Sequence, residues 1–206
     1  MVNNELYELR LYQVERGRMT DMIARRRGAL QMLFQKHGIT PLGNWYTTSG
    51  RNSPLFVYLM RWPDWNTRQK AWAGFYSDPE WWTAREETNA GSELVERYEL
   101  NMLKAIHSWT EQPGINERIL ELHIPKIDIG RSVAAATMIR ENMNPQLIAN
   151  GAELLGAFEY LTGDDLPRAA LFVGWKNDAD ADLGQHYMEQ APLNRSDRYR
   201  LKPIPL

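Results

Sequence analysis

A chain of 206 residues with no cysteine and a formal net charge of −2 excludes several classes at once. It has no disulfide framework, thiolate metal site or thiol nucleophile, and its balanced charge gives no general attraction to nucleic acid or an anionic membrane. No apolar run approaches the roughly 18 residues of a membrane span, and Met1-Val2-Asn3-Asn4-Glu5 lacks the apolar stretch of a signal peptide, so a cytoplasmic protein is expected.

Residues 6–12 alternate, with Tyr7, Leu9 and Leu11 on one side and Leu6, Glu8, Arg10 and Tyr12 on the other, which predicts a strand. From Gly17 to His37 the period lengthens. Met19, Met22, Ile23, Leu30, Leu33 and Phe34 recur at helical steps, and Gly38 ends the helix, with His37 expected to meet its last carbonyls. Arg25-Arg26-Arg27 inside it reads as a solvated helix face in preference to an anion site. Strands at 43–48 and 55–62 flank a loop of turn formers, so they form a hairpin. Asp64 or Asn66 caps the next helix, and Asp78-Pro79 starts another that carries Trp81 and Trp82. A fourth strand is expected at 102–109.

Glu111-Gln112-Pro113-Gly114 reads as a linker, because the pattern then begins again. An offset of 113 residues carries Leu42 to Leu155, Trp45 to Phe158 and Trp62 to Trp175, and lays the strand at 6–11 on 119–124. The second copy predicts strands at 118–125, 155–161 and 169–176, a helix at 130–150 that Pro145 kinks or splits, a helix at 178–190 and a last strand near 201–204. The chain therefore reads as α+β, in two tandem ferredoxin-like βαββαβ units at 1–111 and 115–206, each with one sheet face to bury against another sheet.

The opening Tyr7-Glu8-Leu9-Arg10-x-Tyr12 resembles the start of NIPSNAP-family domains. Gly43-x-Trp45, the strand ending Arg61-Trp62, Arg68 in the next helix and Asp78-Pro79-Glu80-Trp81 are similar as well. The second unit matches as a degenerate copy, with Phe158, Gly174 and Ala181 where the first has Trp45, Arg61 and Arg68. The resemblance implies a dimeric α+β barrel, two such units packed sheet to sheet around a central cavity. That fold hosts monooxygenases, dehydratases and plain ligand-binding proteins, so the resemblance names no reaction.

If Tyr7, Leu9 and Leu11 meet the helices, Glu8, Arg10 and Tyr12 face the cavity together with Glu121 and His123 of the second copy. Glu8 with Arg10, or Arg10 with Glu121, would neutralise buried charge. His123 beside a carboxylate suits proton transfer near neutral pH. The catalytic candidates are thus His123, Glu121, Glu8, Arg10 and Tyr12, with Trp45, Tyr58 and His107 as substrate-binding positions. The four histidines show no zinc spacing, and no metal or other cofactor is expected. Seven of the eight tryptophans fall in the first copy, and Trp72, Trp81 and Trp82 wall a pocket or form a dimer contact. The expected function is a cofactor-independent small-molecule enzyme or binder, of oxygenase, lyase or isomerase type, in a homodimer. The alternative is a non-catalytic protein that binds a partner through its aromatics.

Overall fold

The computed structural model describes residues 5–110 and 118–204, so the linker expected at 111–114 lies outside the described residues. The chain is of mixed α+β class. In order, β1 (Leu6–Val14), α1 (Met19–Arg27), α2 (Ala29–Lys36), β2 (Pro41–Ser49), β3 (Leu55–Trp62), α3 (Trp65–Ser77), α4 (Pro79–Asn89) and β4 (Val95–His107) make the first half. The second half runs β5 (Ile119–Ile127), α5 (Ser132–Met138), α6 (Asn144–Ala149), β6 (Glu153–Tyr160), β7 (Ala169–Trp175), α7 (Asp178–Gly184) and β8 (Leu193–Pro203). Two compact units divide it. The first holds Met1–Tyr46, Asn52–Leu100 and Pro203–Leu206, and the second Thr47–Arg51 and Asn101–Lys202.

In the first unit β3 lies between β1 and β2, antiparallel to both. Glu8 stands opposite Met60, Arg10 opposite Tyr58 and Tyr12 opposite Phe56, and such directly opposed residues share a sheet face. Phe56, Tyr58, Met60 and Trp62 pack with Leu30, Leu33, Phe34, Trp72 and Phe75. Glu8, Arg10 and Tyr12 therefore face the helices. This reverses the expected orientation of the strand, in which Tyr7, Leu9 and Leu11 met them. The reason is that α3 supplies Arg68 and Trp72, partners that the buried charges need and that an apolar neighbour could not replace.

The helix expected over 17–37 is two helices, because the backbone at Gly28 leaves the helical region (φ −91°, ψ −110°). Asp64 caps α3 through the Thr67 amide, and Asp78 caps α4 through the Glu80 amide, with Pro79 in its first turn.

In the second unit β5 pairs antiparallel with β7 and β8, and β6 with β7 and β4. The expected break at Pro145 is there, as one π-helical turn at 139–143 ahead of α6. Strands β4 and β8 begin seven and eight residues earlier than expected, at Val95 and Leu193. Ala135, Met138, Ile139 and Leu147 pack on Leu171 and Val173 as a continuous apolar core.

Close approach of a ring to the backbone explains the repeated glycine motif. A Cβ at Gly43 would come within 2.2 Å of the Trp45 ring, and one at Gly156 within 2.8 Å of the Phe158 ring. Each aromatic folds over the glycine two residues before it, at a point where the register with the neighbouring strand shifts.

Candidate functional site

Between the helices and the sheet of the first unit lies a cavity of about 270 Å³. Its walls are mostly aromatic. Phe34 of α2, Phe56 and Tyr58 of β3, Trp72, Phe75 and Tyr76 of α3 and Trp81 and Trp82 of α4 all line it. They hold one another edge to face or stacked: Phe34 and Trp72 at 5.8 Å and 89°, Trp72 and Tyr76 at 5.6 Å and 25°. The aromatic excess of the first copy thus goes largely into this wall.

The polar lining is four tyrosines (Tyr12, Tyr58, Tyr76, Tyr98), three arginines (Arg25, Arg26, Arg85) and one carboxylate, Glu93. Arg85 and Glu93 take each other, at 2.6 Å. Arg25 and Arg26 are different. They sit in the last turn of α1, only 4% and 3% exposed, where a solvated helix face was expected. Arg25 donates to the Thr88 hydroxyl and the Asn89 side-chain carbonyl, both at 2.6 Å. Arg26 donates from Nε to the Asn44 side-chain carbonyl at 2.8 Å, and its buried Nη1 has no hydrogen-bond partner. No carboxylate among the described residues ion-pairs with either. Burial pushes both guanidinium groups down to about 10, because a low-dielectric site disfavours the charged form. Near neutral pH both remain charged.

Under the cavity lies a network around Glu8 and Arg10, which were expected to face away from the helices. Glu8, fully buried, accepts from Arg10 Nε and Arg68 Nη2 at 2.8 Å and from Trp62 Nε1 at 2.9 Å. Burial alone would raise its pKa, but hydrogen bonds and charge from Arg68 and Arg10 hold it below the usual carboxylate range. Arg10 lies 3.6 Å from the Trp72 ring centre and donates to the Tyr12 hydroxyl at 2.8 Å. Tyr12 and Tyr58 also share a hydroxyl hydrogen bond, and burial raises both phenols. They are therefore neutral near pH 7, and Tyr12 is the point at which the buried ion pair reaches the cavity lining.

Glu121 and His123 are fully buried in the second unit, His123 Nε2 lying 2.9 Å from Glu121. Glu121 also accepts from Arg198 at 2.6 Å, and Arg198 and Arg200 continue to Asp182 on α7. Burial opposes ionisation of Glu121, yet His123 and Arg198 hold its pKa low. His123 Nδ1 is buried without a partner. His107 ends β4 opposite Ala157, half-buried, with its pKa lowered by burial. Trp45 covers Gly43. His37, expected at the helix-end carbonyls, instead meets Asp78 at 2.7 Å. Of the eight expected site residues, Tyr12 and Tyr58 line the cavity, Glu8 and Arg10 support it, and Trp45, His107, Glu121 and His123 are not in its lining. Arg25 and Arg26 are the lining residues that the sequence reading set aside.

The first unit thus keeps an open, largely aromatic space behind its sheet, and comparison places the domain that holds it. Residues 7–108 match the NIPSNAP family model, so the chain carries a NIPSNAP domain over its first half. No curated protein matches the chain by sequence. A Lactobacillus acidophilus protein provisionally assigned as a monooxygenase shares the fold, with a TM-score of 0.62 over 98% of this chain and 95% of its own at 10% identity. A Fusobacterium nucleatum protein with the same provisional assignment has a TM-score of 0.59 at 11% identity, over 100% and 94%. An anthrone oxidase-like protein has 0.55 at 12%, over 100% and 95%. At such identities the likeness is one of fold.

Proposed function

We propose that the first unit is a small-molecule site whose ligand is aromatic or otherwise flat and apolar, taken into the cavity behind β1 and β3. One observation carries this. About 270 Å³ is left open among ten aromatic side chains, four of them tyrosines, with arginines as the other main polar contacts. Concave, mostly apolar space with few convergent polar groups is what small-ligand sites look like, and this volume suits one or two rings. The cavity holds no histidine, and its one carboxylate is held by Arg85, so binding is the leading reading and proton transfer would fall to Tyr12.

The catalytic reading stands second, supported by the oxygenase and oxidase names that proteins of this fold carry. It would be cofactor-independent oxygenation, elimination or isomerisation. A proton-shuttle role for His123 would belong to a separate site in the second unit, since His123 is not in the lining of this cavity, and is supported by its 2.9 Å contact with Glu121. We propose further that both units are ferredoxin-like, a reading supported by the strand order β8-β5-β7-β6 in the second and β1-β3-β2 in the first. The partner-binding alternative and the homodimer draw support from Trp65, Trp82 and Tyr98, which are exposed.

Titration with one- and two-ring aromatic compounds, read by quenching of tryptophan fluorescence, tests the site. Saturable quenching is expected, lost when Met22→Trp fills the cavity of a chain that still melts cooperatively. Binding that survives the filled cavity would sink the proposal. Light scattering at micromolar concentration decides the homodimer.

A further inference from the structure

We infer that the ligand of this cavity is an anion, an aromatic carboxylate or a compound of like charge, and that Arg26 is its counter-ion. The inference rests on the small-molecule reading above and names the charge of its ligand. Charged side chains are rarely buried unless paired, and a buried charge with no partner is costly in a low-dielectric site. Elsewhere in this unit the rule is kept, since Arg10 and Arg68 both close on Glu8 at 2.7–2.8 Å. At the cavity it is broken. Arg26 is 3% exposed, its one side-chain hydrogen bond is to the neutral Asn44, and Nη1 is unpartnered. Arg25 beside it is held by neutral groups too. With Glu93 in direct contact with Arg85, no carboxylate among the described residues ion-pairs with Arg25 or Arg26, and Arg26 is the one with a buried nitrogen left open.

Neutral hydrogen bonds tie Arg25 to Thr88 and Asn89 and Arg26 to Asn44, but they do not need a full charge at either position, and an apolar residue would carry no such desolvation cost. Ligand binding gives a reason for the charge. A carboxylate offers two acceptors in the plane that a guanidinium fork matches. The ring attached to it would lie against the aromatic wall, where the Arg26 guanidinium already stands 5.0 Å from the Phe34 ring centre. Asn44 holds the Nε end of the guanidinium, so the fork is oriented before a ligand arrives, and pre-orientation lowers the cost of binding.

A matched pair of probes tests this on the full chain. Calorimetric titration with 2-naphthoate and with its neutral isostere 2-naphthamide at pH 7 should show the carboxylate binding at least tenfold tighter. Arg26→Gln should weaken the carboxylate tenfold or more and leave the amide within twofold, which removes the preference. Equal affinity for both probes in the unaltered protein would overturn the inference and leave the cavity reading standing. A preference that survives in Arg26→Gln would overturn the assignment to Arg26. Failure of both probes to bind would overturn the inference together with the reading it rests on. The comparison in the unaltered protein needs no variant to fold.

Discussion

The two copies of the repeat put Glu8 and Glu121 at the same point of β1 and β5, and then build opposite things around them. In the first unit Glu8 gathers Arg10, Arg68, Trp62 and Trp72, and the space above it stays open and positively lined. In the second, the positions equivalent to Arg25, Arg26, Phe56 and Tyr58 are Met138, Ile139, Ala169 and Leu171, and all four lie in one apolar core. Trp62 and Trp175 are equivalent as well. Trp62 donates to Glu8, whereas the buried Nε1 of Trp175 has no partner, because Glu121 turns to Arg198 and Arg200 on β8. One scaffold thus has a filled form and an open form. Aromatics and arginines distinguish the open one, which is why we regard its cavity as selected for and not as a packing fault.

The sharpest way to break this comparison is to remove the shared carboxylate. Glu8→Ala strands Arg10 in the interior and should cost about 3–5 kcal/mol, the usual penalty for breaking a buried pair. Glu121→Ala should cost less, about 1–3 kcal/mol, since Arg198 and Arg200 are partly exposed and retain Asp182. Denaturant unfolding of both variants gives the order, and equal losses would mean that the two networks are alike.

The opposite move converts the open form towards the filled one. Arg25→Met with Arg26→Ile, the residues of the second copy, should raise stability by about 1–4 kcal/mol, because an uncompensated buried charge gives way to apolar packing. The same variant should lose aromatic-anion binding. A fall in stability would show that the arginines hold the helices through Asn44, Thr88 and Asn89, and would make their role structural.

His123 takes the place of Arg10 in the second copy, and the difference can be sharpened by substitution. His123→Ala removes the 2.9 Å contact with Glu121 and should cost about 1–3 kcal/mol. Any turnover the chain shows should vanish with it, while Arg10→Ala should mainly weaken binding. Full turnover in a folded His123→Ala would end its candidacy as a proton shuttle.

How much of this could be read beforehand depends on what carried the signal. The repeat, the period-two strands, a cap at Asp64 or Asn66 and a helix start at Asp78-Pro79 were legible, and the structure takes Asp64 and adds Asp78 as a cap. The facing of β1 was not legible. Alternation shows that Glu8 and Arg10 share a side with Tyr12, but which side meets the helices depends on Arg68 and Trp72, some 60 residues away. The buried arginines did leave a trace. Met22 and Leu30 are on the apolar face of the helical stretch, and Arg26 is four residues from each, so it interrupts that face from within. A charge on an apolar stripe marks a site more reliably than a run of three arginines does.

The smallest expected effect lies at the edge of the open unit, where Asp78 joins the start of α4 to the end of α2. Its carboxylate accepts from the Glu80 amide at 3.0 Å, from Lys36 at 2.8 Å and faces His37 at 2.7 Å. Hydrogen bonds from Lys36 and His37 hold it down at about 2, against an ordinary 3.8. The folded-state value is the lower one, so the stabilisation is fully present above the unfolded value. It is lost as pH falls from about 4 towards 2. Asp78→Asn keeps the size of the side chain and removes the charge. The melting-temperature gap between the two proteins should therefore be widest above about pH 4 and close steadily below it. Glu8 and Glu121, also held low, titrate in both proteins and cancel in the difference. A gap that stayed constant from pH 5 to about pH 2.5 would show that Asp78 acts as a neutral cap alone, and α4 would then be anchored without charge.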